Sequence, residues 1–406
     1  MDGSIGDLFR SYGEQYIKIY KPPLHKIKLI RSIRVCKTPA LGGRRIDCKE
    51  CGNKHYVYFS CGQSQCPLCQ SIKRAQWQDK LGTKLLNVPY VHMVFTLPHE
   101  LNPLMKMNQR MFYNTLYRMS WKTVSSLARE KENIGGKPGM VAVLHTFGSD
   151  MKYHVHLHCL VTYGGLKNNE WEWPKQKKKI ASYRKIRGRF KKLFIESVSK
   201  QIKKSTWSGA EKEQWEGIKK EIENKEWNVS NSKPTMNSQH VEEYLGRYVN
   251  RVAISKSRLK YLHDTEEVQV IFNDYRNQKK GEAAPKKVKK INPLVAIDQM
   301  MQHVLAPYFQ KNRYFGLHAS NTFRKLKANL PEKLKRKGRT IRTVFEILKS
   351  LLEKPAYECE RCGSINYEIK EVRPDKKWKF NYLTLFLIRP PPLQIKYKLT
   401  TNEPIF

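Results

Sequence analysis

"GMVAVLHTFGSDMKYHVHLHCLVTYGG", residues 139–165, decides how this chain is read. Two apolar, β-rich runs flank the polar tetrapeptide "SDMK", the pattern of a β-hairpin. In the second run His154, His156 and His158 alternate with Val155, Leu157 and Cys159. A strand sends alternate side chains to one face, so three imidazoles line up on it. With the turn centred on Asp150 and Met151, His145 falls opposite His156, and His158 becomes its diagonal neighbour. Paired residues share a face, with Cβ atoms about 5 Å apart. His145, His156 and His158 are therefore expected to converge on one divalent ion, and a one-residue slip would scatter them. A single histidine on a strand is ordinarily a hydrogen-bonded core or surface residue. The alternation, and a further histidine on the neighbouring strand, favour a metal. An ion held by two or three imidazoles keeps open positions for a substrate oxygen and can polarise a phosphoryl group.

The composition points the same way. The chain has 406 residues, and 77 Lys and Arg against 36 Asp and Glu leave a formal charge of +41. Such an excess repels itself and calls for a polyanionic partner. Nucleic acid is the first choice and an anionic membrane surface the weaker one, since no amphipathic anchor stands out. No apolar run reaches the ~20 residues of a membrane span. The opening "MDGSIGDLFRSYG" lacks the charged-then-apolar order of a signal peptide. The expectation is a cytoplasmic protein, in which the nine cysteines are not disulfides.

"CKEC" (48–51) and "CPLC" (66–69) are two knuckles of the spacing that thiolate zinc sites use. They predict one structural Zn²⁺ on Cys48, Cys51, Cys66 and Cys69. Four cysteines leave no open position for water, so a catalytic zinc is not expected there. Cys36, Cys61 and His55 are spare ligands for a second zinc. "CERC" (359–362) is half a site, which either clips a metal with a partner from elsewhere or binds nothing.

A nucleophile is sought further on. "SQHVEEYLGRYVNRVAIS" (238–255) reads as a helix, and "YLGRY" places Tyr244 and Tyr248 one turn apart on one face. A tyrosine attacking phosphorus would leave a covalent phosphotyrosyl link. The same spacing equally suits core residues of an amphipathic helix. Arg247 and Arg251 beside them could hold phosphates. Glu243 and His240 are alternatives to His145 as third ligand of the catalytic ion. Between Lys175 and Lys192 there are ten Lys or Arg and no acid. Lys177, Lys178, Lys179, Arg184, Lys185, Arg187 and Arg189 in that run are candidate DNA contacts.

These stretches together resemble the HUH-class, two-tyrosine, rolling-circle transposases of the insertion-sequence ninety-one family. The resemblance rests on "CKTPALGGRRIDCKECG", "SCGQSQCPLCQ", "VPYVHMVFTLPHELNPL", "LHTFG" leading to "HVHLHCLVTYGG", "YLGRYVNRVAISKSRL" and "HVLAPYFQKNRYFGLHA", over about residues 36–320. Gln65 and Val155 depart from the expected pattern, at positions outside the proposed chemistry. The resemblance implies an α+β fold: an antiparallel palm with flanking helices, preceded by a small zinc-ribbon-like module. It maps the histidine pair to His156 and His158 and the nucleophiles to Tyr244 and Tyr248. It implies a catalytic Mg²⁺ or Mn²⁺ and single-stranded DNA, with hairpin-containing element ends and a target, as substrate. The expected organisation is a helical and zinc-binding domain at 1–87 and a nuclease domain at 88–275. The nuclease domain would carry a basic insertion at about 167–233, with a charged helix or arm at 175–192 and a peripheral part at 200–233, and a basic helical region would follow at 276–406. A relaxase or replication initiator would share the chemistry. A domesticated, non-catalytic zinc-containing DNA-binding protein would share the charge.

Overall fold

The computed structural model describes residues 2–176, 179–235, 253–277, 279, 282–329, 331–335, 341–343, 346–347 and 358–375. Its centre is a five-stranded antiparallel sheet. The strand order is Asn312–Gly316, Gly139–Phe147, Tyr153–Thr162, Tyr90–Thr96, Val229–Asn231. Strand Gly139–Phe147 is buried at every position, as a central strand covered on both faces must be. The hairpin forms in the expected register, with His145 paired to His156 and Val143 to His158. A bulge between His145 and Phe147 takes up the approach to the turn.

Period-two alternation divides this sheet into two faces. Met93, Phe95, Met140, Ala142, Leu144, Val155, Leu157 and Val161 point into the main core. Helices Gln109–Arg129 and Tyr183–Lys203 close that core with Phe112, Leu116, Phe190, Phe194 and Val198. On the other face Tyr90, Val141, Val143 and Leu160 pack beneath Leu81, Leu85 and Leu86. Beyond this apolar half the same face carries the histidines.

The basic insertion expected at about 167–233, including its part at 200–233 read as peripheral, is instead part of the body. Its first long helix buries Ile186, Phe190, Phe194, Val198 and Ile202, spaced four apart beneath the Lys/Arg count. Trp215, Trp227 and Val229 lie in the main core, and Val229–Asn231 forms the edge strand of the central sheet. Composition concealed this, because a helix needs only one apolar stripe to dock.

A second sheet joins the first residues of the chain to residues 259–291. Strands Asp2–Gly3, Leu259–Leu262, Glu267–Asn273 and Lys286–Ile291 pair antiparallel in that order. Helices Ile5–Tyr20, Leu24–Val35 and Pro293–Gln302 share a core with it, through Ile5, Leu8, Phe9, Ile33, Val268, Ile297 and Met301. The stretch "KKVKKI" (286–291), with four lysines in six residues, is thus a strand. The expected ranges 88–275 and 276–406 share two sheets, since Asn312–Gly316 also pairs with Gly139–Phe147. A third sheet places Tyr367–Val372 beside Gly43–Cys48, which pairs in turn with Lys54–Tyr58. Among the described residues no helix is long and apolar enough to cross a membrane.

Candidate active site and metal centres

The histidine face is built by the hairpin register. His145, His156 and His158 bring their ligand nitrogens within 4.8 Å of one another. Their ring centroids stand 4.6 to 5.3 Å apart. Metal–nitrogen bonds are about 2.1 Å long, so small ring rotations place all three on one ion. His145 and His158 are buried, and His156 is partly open to solvent. Among the described residues no carboxylate joins the trio. Its three neutral ligands would leave the charge of a divalent ion undiminished towards an anionic substrate.

Hydrogen bonds behind the rings select the ligating nitrogens. Nδ1 of His156 lies 2.9 Å from the His154 carbonyl oxygen, which only an N–H can satisfy. Nε2 of His156 then carries the lone pair. Nδ1 of His158 lies 3.0 Å from Nε2 of His92, and the two rings stack at 5.2 Å. If His158 ligates through Nε2, its Nδ1–H donates to His92. Such partners orient metal ligands and raise their basicity. Burial lowers the His92 pKa to about 4, so its ring is neutral and able to accept. His92 was not singled out as a site residue from the sequence. It stands on Tyr90–Thr96 opposite Leu160, one diagonal from His158, and that pairing is the signal that would have found it. His154 is exposed, its ring 5.1 Å from that of His156. His303 is fully engaged in structure: its ring bonds Thr146 Oγ1 at 3.2 Å and the Met151 carbonyl at 2.9 Å.

Tyr244 and Tyr248 lie outside the described residues, as do His240, Glu243, Arg247, Arg251, Lys177 and Lys178. Lys179 and Arg184 are exposed. Three other candidate DNA contacts are paired within the fold. Lys185 bridges to Glu132 at 2.9 Å, Arg187 pairs with Glu226, and Arg189 pairs with Glu130 and with Ser126 Oγ.

The cysteines fall into two quartets rather than the expected set of Cys48, Cys51, Cys66 and Cys69. Cys36, Cys61, Cys66 and Cys69 form one, and Cys48, Cys51, Cys359 and Cys362 the other. The reason is the sheet: Cys48 ends a strand that runs away from Cys66, and its knuckle meets the C-terminal pair. His55 belongs to neither quartet; it sits exposed on Lys54–Tyr58 opposite Ile46. In the first quartet Cys61 Sγ and Cys69 Sγ are 3.8 Å apart, and the Cys61 amide donates to Cys36 Sγ at 3.5 Å. Hydrogen bonds among these sulfurs push Cys36 and Cys69 down in pKa and Cys61 and Cys66 up. A divalent cation would let all four serve as thiolates. Cys159 is buried in the main core and stands apart from both.

The chain matches a family model described as "Transposase zinc-binding domain" over residues 8–97, and one described as "Putative transposase" over residues 139–325. The first match contains the whole of the Cys36 quartet, and the second contains the histidine hairpin. The chain is 31% identical to the "Putative transposase y4qJ" of Sinorhizobium fredii (strain NBRC 101917 / NGR234) over 332 residues, 80% of this chain and 82% of that protein. It is 26% identical to the "Transposase for insertion sequence element IS801" of Pseudomonas savastanoi pv. phaseolicola over 352 residues, 84% of this chain and 82% of that protein. No solved structure matches it. A zinc-binding domain at the front, a transposase domain behind it and relatives aligned over four-fifths of the chain give one conclusion: the chain belongs to the transposase family of insertion sequence IS91.

Proposed function

We propose that the chain cleaves and rejoins single-stranded DNA at the ends of an insertion sequence through a 5′-phosphotyrosine intermediate. Tyr244 or Tyr248 is the nucleophile. The observation that carries this reading is the convergence of His145, His156 and His158 on one partly open face, with no carboxylate among the described residues beside them, in a chain of net charge +41. Bound there, Mg²⁺ or Mn²⁺ would supply Lewis-acid polarisation of the scissile phosphate. The His154 carbonyl and the His92 ring hold His156 and His158 with Nε2 turned to that position. The tyrosine oxygen bonds to phosphorus and its proton passes to solvent. The P–O3′ bond breaks, and the leaving O3′ takes a proton from solvent to become a 3′-hydroxyl. Rejoining reverses this: a 3′-hydroxyl attacks phosphorus and the tyrosine leaves.

The segment bearing the tyrosines has its described ends at opposite ends of the hairpin's long axis. Thr235 pairs with Tyr90 at one end. A few residues past the other, Arg258 donates to the Ser149 carbonyl in the turn. The surplus of basic side chains supplies phosphate contacts. Hairpin-containing ends, a target strand and a rolling-circle or peel-and-paste route complete the reading, with the protein acting at the bacterial nucleoid.

The test is a denaturing gel with single-stranded end DNA labelled on the 3′ side of the cut, in Mn²⁺ or Mg²⁺. A protein-linked labelled species should form, and the double variant Tyr244→Phe/Tyr248→Phe should form none. An adduct from the double variant would overturn the assignment of the nucleophile. Strand transfer into a second oligonucleotide separates a transposase from a relaxase or initiator.

A further inference from the structure

The pairs "CKECGN" (48–53) and "CERCGS" (359–364) are two copies of one loop, separated by about three hundred residues. In each, the first cysteine amide donates to the carbonyl five residues on: Cys48 to Asn53 at 2.9 Å, Cys359 to Ser364 at 2.9 Å. In each, the glycine amide donates back to the first cysteine carbonyl: Gly52 to Cys48 at 3.0 Å, Gly363 to Cys359 at 2.8 Å. Both glycines take the left-handed conformation, at φ +68° and +71°, where a side chain would strain the turn. Each loop leads into a strand, Lys54–Tyr58 or Tyr367–Val372, and both strands flank Gly43–Cys48.

The loops face each other. Cys48 Sγ lies 3.6 Å from Cys362 Sγ, and Cys51 Sγ lies 3.5 Å from Cys359 Sγ. All four sulfurs fall within 4.8 Å of one another, and all four cysteines are free. A tetrahedral ion with Zn–S bonds of about 2.3 Å separates its sulfurs by about 3.8 Å. The spacing therefore suits a tetrathiolate ion and is too long for disulfides, whose S–S bond is about 2.0 Å. Backbone amides are also aimed at the sulfurs: those of Arg361 and Cys362 at Cys359, and that of Ser364 at Cys362.

The sheet around these loops needs such an ion. Strand Tyr367–Val372 has no buried residue, and Lys54–Tyr58 has none either. In the central strand only Gly43, Ile46 and Cys48 are buried. That is too little apolar surface to hold a terminal strand by packing, and structural zinc commonly supplies the folding energy of such small modules.

We propose that Cys48, Cys51, Cys359 and Cys362 hold a second structural zinc, assembled from the two ends of the chain, and that it fixes strand Tyr367–Val372 against Gly43–Cys48. The site is a zinc ribbon split across the transposase domain. It is separate from the Cys36 quartet and independent of the phosphotyrosine chemistry.

The experiment measures metal content and amide hydrogen exchange of the full-length protein and of Cys359→Ser/Cys362→Ser. Bound zinc should fall by one per chain. Exchange in peptides covering residues 43–48 and 367–372 should accelerate at least tenfold, while residues 139–162 keep their protection. An unchanged zinc content overturns the site, and so does loss of one iron rather than one zinc. Loss of the zinc with unchanged exchange in residues 367–372 overturns the ion's role in fixing the strand.

Discussion

The histidine face and the split cysteine quartet solve the same physical problem, convergence of ligands, by opposite routes. The histidines come from one hairpin, so local pairing places His145 against His156 and diagonal to His158. The cysteines of the split quartet meet across 308 and 314 residues of chain, so their convergence depends on the fold between them. The entropic cost of closing a loop rises only slowly with its length. The histidine face is thereby carried by the central sheet, and the split quartet by strands that distant segments bring together. The Cys36 quartet lies between these extremes, embedded in the core that joins the N-terminal helices to Ile254, Met300 and Val304.

The comparison is broken most directly at the buried quartet. Cys66 is fully buried in that shared core. Cys66→Ser with Cys69→Ser should leave little folded protein, seen as loss of the cooperative thermal transition. The split-site variant Cys359→Ser/Cys362→Ser should instead keep its main transition. Equal damage from both pairs would mean that the two quartets do not differ in depth.

On the histidine face, His156→Ala should reduce covalent adduct formation by at least about a hundredfold, as expected when a ligand of a Lewis-acid centre is lost. DNA retention should remain within a few-fold, because phosphate contacts dominate affinity. Retention can be read from salt-dependent filter binding. Adduct formation at the normal rate would remove the ion from that face.

A smaller effect separates ligand from support. His92→Phe keeps an aromatic ring beside His158 and removes the nitrogen 3.0 Å from its Nδ1. Loss of such a partner typically weakens metal binding about 10- to 100-fold. Titration of Mn²⁺ by electron paramagnetic resonance should show this weakening with the fold intact, while saturating Mn²⁺ restores most of the adduct. No change in Mn²⁺ affinity would mean that the His92 contact does not orient the ligand.

The smallest effect lies at the N-terminal helix. Burial alone would raise the Asp7 carboxyl. Hydrogen bonds from Ser4, together with Arg10, outweigh this and lower its pKa to about 2. Ser4 and Asp7 form a capping box. The depressed folded value means that this contribution is complete above the unfolded carboxylate pKa of about 4. It is lost as pH falls from there through 2. Asp7→Asn should cost about 1 kcal/mol, in line with other helix caps, and flatten the stability profile in that window. Denaturant midpoints measured between pH 2 and 6 would show it. A pH profile identical to the parent's would assign the helix start to packing alone.

Much of this molecule was legible before folding was considered. The alternation in "HVHLH" dictated a strand with a histidine face, and a short polar turn dictated its register, because both are local rules of backbone geometry. Charge named the class of partner, because +41 needs a counter-charge whatever the fold. The cysteine knuckles announced zinc, but their grouping was not readable, because a C-x₂-C loop supplies only half a tetrahedron. Which half it meets depends on strand Tyr367–Val372 returning beside Gly43–Cys48. The same limit hid His92, whose meaning comes from a strand pairing across 66 residues. It also hid the apolar stripe of Tyr183–Lys203, masked by basic residues that turn out to pair with Glu130, Glu132 and Glu226. Period and composition act within a few residues of chain. Which ligands share an ion, and which cations remain for DNA, were decided only when distant segments came into contact.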